Sequence, residues 1–112
     1  MVKPISRPNS QYSLHGLELL GLLIHEARIN KALTTTDLAA RAGISRSLLQ
    51  RIERGDPNCS IGAVFEVATI CGVPLFNEDQ RELNANLLNQ REKLALLPKS
   101  VRVHLKEVND NF

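Results

Sequence analysis

Residues 46–51 read Arg-Ser-Leu-Leu-Gln-Arg. Wound into a helix, Arg46, Ser47, Gln50 and Arg51 fall on one arc, and Leu49 and Ile52 fall on another. An arginine presents a two-pronged donor fork that matches guanine, a glutamine pairs with adenine, and a serine hydroxyl gives or accepts as needed. The chemistry open to this arc is hydrogen bonding to base edges. Bond-making chemistry has no comparable constellation. His15, His25 and His104 lack the spacing of metal ligands, with no cysteine or carboxylate cluster beside them. No nucleophile is set beside a base, and no glycine-rich loop could cradle a phosphate. The chain is therefore expected not to be an enzyme and to carry no metal or cofactor.

Such an arc reads a groove only if rigid elements hold it. Residues 36–54, TDLAARAGISRSLLQRIER, predict a short helix, a turn and a second helix. Ala39 is small enough for two helices to approach, and Gly43 tolerates the backbone of a tight turn. Ser45 is a good N-cap, and Ile44, Leu49 and Ile52 anchor the second helix to a core. The pattern fits a helix-turn-helix whose second helix, 46–54, enters the major groove of DNA.

The flanking chain reads as further helices. Residues 1–16 are expected to be a mobile arm, on which Lys3 and Arg7 could reach a minor groove. From Leu17 to about Leu33 a helix places Leu20, Leu23, Ile24 and Ala27 on one face, slightly weakened by Gly21. Any of Thr34, Thr35 and Thr36 can cap the next helix, Asp37 to Ala42. Ser60 caps a helix carrying Ile61, Val64, Phe65, Ala68 and Ile70, which stops at Gly72. Asn77, with Gln80 at the capping-box position, opens a last helix that runs to about Leu97 with a stripe of Leu83, Leu87, Leu88 and Leu94. After Pro98, Val101, Val103 and Leu105 alternate as in a strand. The expected parts are an arm (1–16), a helix-turn-helix domain (17–76), and a C-terminal helix and tail (77–112).

Composition bounds this reading. A chain of 112 residues is one domain with appendages, too short for a barrel enzyme or a doubly wound dinucleotide fold. Net charge is only +2. Residues 17–76 balance six basic against six acidic side chains, yet residues 41–54 hold Arg41, Arg46, Arg51 and Arg54 against Glu53 alone. Positive charge is concentrated where the reading helix lies. Cys59 and Cys71 read as two reduced, buried thiols. No signal-peptide core follows the N-terminus, and the longest apolar stretch, Leu19 to Ile24, is far short of a membrane span. A cytoplasmic, nucleoid-associated protein with no membrane partner is expected.

Residues 20–76 resemble the Xre/Cro-like phage-repressor family. The resemblance rests on Ala27-Arg28, Leu38-Ala39, Ala42-Gly43-Ile44-Ser45, Ile52-Glu53-Arg54-Gly55 and Cys71-Gly72-Val73-Pro74-Leu75. It implies an all-α fold: a five-helix lambda-repressor-like DNA-binding domain, here followed by the C-terminal helix and a short strand-like tail. It also implies a structural ion pair between Arg28 and Glu53. Base reading would fall to Arg46, Ser47 and Arg51, with Gln50 beside them. Thr35, Thr36, Arg41, Ser45 and Asn58 stand where such domains meet the DNA backbone. Thr35 is a departure, because many relatives carry a longer Gln there.

A narrower resemblance, to HipB-type antitoxins, is carried by Glu53-Arg54-Gly55-Asp56-Pro57, Ser60-Ile61-Gly62, Leu97-Pro98, Val101-Arg102 and the closing Val108-Asn109-Asp110-Asn111-Phe112. It implies partnership with a HipA-like kinase toxin, in a two- or three-protein operon; a homodimer on a palindromic operator is expected because a single helix-turn-helix reads only a few base pairs. Leu83, Leu87, Leu88, Leu94, Val101, Val103, Leu105 and Phe112 are the candidate dimer or partner contacts. A stand-alone prophage-type repressor and a protein-interaction adaptor that reads no DNA are the competing classes.

Overall fold

The computed structural model describes residues 9–76 and 79–101. Five helices and no strand occur among them: α1 (Gln11–Asn30), α2 (Thr35–Ala42), α3 (Arg46–Glu53), α4 (Ile61–Cys71) and α5 (Gln80–Ala95). The chain divides into two compact units, Met1–Leu75 and Phe76–Phe112. Four helices belong to the first unit and α5 to the second.

Each helix starts on a side chain that satisfies its free amides. Ser10 caps α1, its hydroxyl accepting from the Ser13 amide at 3.1 Å. Residues 11–16 are therefore helical, not part of an arm. They are exposed, so their polar sequence shows no apolar period. Thr34 is the cap of α2, in a reciprocal capping box with Asp37. Ser45 caps α3 through the Leu48 amide at 3.0 Å, and Ser60 caps α4.

Helix ends are as specific. α1 closes through the Ala32 amide to the Ile29 carbonyl at 2.9 Å and the Leu33 amide to the Arg28 carbonyl at 3.1 Å. This closure puts Ala32 at a φ of 57°, in the left-handed region that favours glycine. Gly43, at a φ of 69°, makes the corresponding turn between α2 and α3.

The core of the first unit is aliphatic: Ile24, Leu38, Ala39, Leu49, Ile52, Val67, Ala68 and Cys71. Leu20, Ala27 and Ile44 pack at its edge. Leu23, expected inside, is 42% exposed. On α4 the buried side chains are Val67, Ala68 and Cys71, while Ile61 and Phe65 face out. Almost every residue of that helix is apolar, so only packing sets its phase. Cys71 is buried and Cys59 only half-buried, both free thiols.

The second unit departs from expectation at its start. Asp79, not Asn77, caps α5, and Glu82, not Gln80, completes the capping box. No α5 residue is buried, and Leu83, Leu87, Leu88 and Leu94 are all exposed. Val101 is exposed and non-helical. Lys3, Arg7, His104 and Phe112 lie outside the described residues, as do Val103 and Leu105 of the expected strand-like alternation. Among the described residues no helix is long and apolar enough to cross a membrane.

Candidate nucleic-acid interface

Two glycines and one ion pair position α3. A Cβ on Gly21 would lie 2.6 Å from the Glu53 carbonyl oxygen and 2.8 Å from that of Ile52. The backbone of α1 thus lies directly against the C-terminal end of α3. Gly55, at a φ of 79°, ends that helix, and a Cβ there would lie 2.8 Å from the Glu18 Cα. Read from sequence, Gly21 was a mild helix weakener; its actual role is close backbone approach.

Beside this contact, Arg28 and Glu53 meet. Arg28 Nε donates to Glu53 Oε2 at 2.7 Å and Nη2 to Oε1 at 3.1 Å. Arg28 Nη1 donates to the Leu33 carbonyl at 3.0 Å. His25 Nδ1 lies 2.7 Å from Glu53 Oε1 and 3.2 Å from Arg28 Nη2. Only one of those two contacts is a hydrogen bond: a protonated Nδ1 donates to the carboxylate and has no lone pair for the guanidinium. The shorter contact, to Glu53, is the favourable one. Burial by itself pushes the Glu53 carboxyl up, but hydrogen bonds from Arg28 and His25 outweigh it and hold the carboxyl below its ordinary range.

The outward arc of α3 is left to solvent. Arg46, Ser47 and Gln50 are exposed and make no side-chain hydrogen bond within the described residues. Arg54 continues the same row four positions after Gln50 and is likewise exposed and unpaired. Gln50, Arg54 and Thr35 share a shallow open cleft with Leu22, His25, Arg28 and Glu53. Sequence reasoning passed over Arg54 as a site residue, although the 46–50–54 spacing carried the signal.

Arg51 behaves differently from its neighbours. Its Nε donates to Asp56 Oδ2 at 2.8 Å and its Nη2 to the Asn58 carbonyl at 2.9 Å. Asp56 Oδ1 accepts the Asn58 amide at 2.8 Å, and the Asp56 amide donates to the Arg51 carbonyl at 3.0 Å. The guanidinium holds the Asp56 carboxyl below its ordinary range, helped by the Asn58 amide. Asp56, absent from the sequence-derived site, closes this network. Its only sequence signal was an opposite charge across the Gly55 turn.

The remaining candidates sit at helix starts and in the loop. Thr35 and Thr36 occupy the first turn of α2, whose free amides favour an anion. Ser45 is exposed, but its hydroxyl already serves the Leu48 amide. Arg41 is exposed in the last turn of α2, and Asn58 is exposed with its backbone engaged. No group of metal-ligand type is assembled among the described residues.

A capped helix, a left-handed glycine turn and a second capped helix with a donor-rich outer face together define a helix-turn-helix DNA-binding domain. The family model described as "Helix-turn-helix domain" matches residues 19–83, more than half of the chain. The chain belongs to that family, in its Xre/Cro-like type. No curated protein sequence matches it.

Proposed function

We propose that the protein is a sequence-specific transcriptional regulator that inserts α3 into the major groove. The observation that supports this most is the outer face of α3, where Arg46, Ser47 and Gln50 are donor-bearing, exposed and without a hydrogen-bond partner among the described residues. These three side chains read bases. Thr35, Thr36, Arg41, Ser45 and Asn58 meet the backbone, with the start of α2 offering free amides to a phosphate. The exposed leucines of α5 favour a homodimer on a palindromic operator. Selection of duplexes from a random pool, followed by anisotropy titration, tests the reading. Arg46→Ala should then cost about 1–3 kcal/mol of specific binding. A pool that yields no enriched sequence would remove DNA reading and leave the adaptor alternative.

The step to an antitoxin that represses its own operon with a HipA-like kinase rests on the residues resembling HipB-type proteins, chiefly 53–57 and 60–62. A tagged pull-down from native cells tests it separately. A stoichiometric kinase-like protein supports it, and a clean self-dimer returns the reading to a stand-alone repressor.

A further inference from the structure

We infer that Arg51 acts in DNA recognition as a positioning residue, neutralising Asp56 and fixing the loop that carries Asn58, and that it does not contact a base. The inference rests on the DNA-reading function of α3 and refines which residues of that helix set specificity. Four links tie Arg51 and the loop into one closed network. The Arg51 carbonyl takes the Asp56 amide, Nε and Nη2 reach Asp56 and Asn58, and Asp56 in turn takes the Asn58 amide. Both carboxylate oxygens of Asp56 are used, and so are two of the three guanidinium nitrogens of Arg51.

Releasing Arg51 to a guanine would break two hydrogen bonds at once. It would also leave the Asp56 carboxylate without its hydrogen-bonded counter-charge, offset only by the charge of Arg54, two residues from Asn58 and beside a strongly negative duplex. Arg46 and Gln50 face no such penalty, since neither has a side-chain hydrogen bond to give up among the described residues. Gly55 stands at a φ of 79°, and between Asp56 and Ser60 only the half-buried Cys59 packs against the core, so the Arg51 network adds a polar tie at the loop's exposed edge. With Arg51 in place, Asn58 is held by both its amide and its carbonyl, which leaves its side chain free for a phosphate.

The two roles give opposite results in a paired experiment. The full-length chain, Arg51→Ala and Arg51→Ala/Asp56→Asn are each used to select duplexes from a random pool and titrated against the selected site. Circular dichroism melts confirm that each variant folds. Asp56→Asn removes the charge and keeps an oxygen for the Asn58 amide. A positioning Arg51 predicts that Arg51→Ala weakens binding about tenfold on all sequences alike, because an unpaired carboxylate then faces phosphates. The second substitution should restore most of that loss, and the base preference should be unchanged throughout. A base-reading Arg51 predicts a lost preference at one position and no rescue, which would overturn the inference. If the unaltered chain selects no sequence, the DNA reading itself falls and takes this inference with it; that result is distinct from a shifted preference.

Discussion

Glu53 receives the Arg28 guanidinium side-on, with Nε at 2.7 Å and Nη2 at 3.1 Å. Both side chains are about nine-tenths buried, and Arg28 spends its third nitrogen on the Leu33 carbonyl. The pair therefore joins the end of α3 to α1 and to the turn after it. Removing one member of a buried pair leaves the other charge uncompensated. Arg28→Ala is expected to cost about 3–5 kcal/mol of folding stability. Urea denaturation followed by circular dichroism measures it, and a cost within the range of an exposed pair would show the link to be unimportant.

The same pair sets a pH dependence. Folding lowers the Glu53 carboxyl, so the stability it contributes is fully present above the unfolded value, about 4.3. It is lost as pH falls through the folded value. Melting temperature should drop on acidification, and the gap between the unaltered chain and Glu53→Gln should narrow as pH falls below the unfolded value and through the folded one. A gap of constant size would mean that the charge of Glu53 contributes nothing.

Gly21→Ala gives a test of sign. In an ordinary helix interior this change stabilises by about 1 kcal/mol. Here the new methyl meets the Glu53 and Ile52 carbonyl oxygens, which are backbone and cannot swing aside. A loss of about 2–3 kcal/mol is expected, as for overpacking elsewhere. A stabilised variant would show that α1 can lift from α3 at little cost.

Ala32→Gly should act in the other direction. Ala32 holds a φ of 57° to close α1, and an L side chain there is strained. Glycine relieves that strain at a larger entropy loss on folding, for a net gain of about 1 kcal/mol. The melting temperature reads it directly.

Salt dependence separates phosphate contact from protein-protein adaptation. Each phosphate neutralised by a basic side chain such as Arg41 should add about 0.9 to the slope of log affinity against log salt. Arg41→Ala should reduce that slope without altering base preference, as measured by titration over a salt series. An Arg41→Ala slope equal to that of the unaltered chain would remove this residue from the backbone contacts.

Where a single residue type dictates local backbone, the sequence was easy to read. Ser45 and Gly55 bound α3 by capping and by a left-handed turn, and both signals are local. The helical character of the chain followed from spacing for the same reason. The start of α1 was hidden, because residues 11–16 bury nothing and only the Ser10 cap announces them. The phase of α4 was hidden for the opposite reason: apolar side chains surround it, and Val67 rather than Phe65 turns inward. The close approach at Gly21 and the partners of Arg51 were hidden because they are set by tertiary approach and by a turn. Sequence placed Arg51 among the base-reading side chains, and nothing in it showed that the Gly55 turn brings Asp56 to its Nε.

If α3 reads bases as proposed, its length bounds how much text it can read. Eight residues make about 12 Å of helix, which runs past only about three or four base pairs of duplex. A word that short recurs by chance on the order of every hundred base pairs. Across a genome of millions of base pairs it marks on the order of tens of thousands of places. The helix supplies a syllable, and a unique address requires that syllable to be combined, at fixed spacing, with others that α3 does not itself provide.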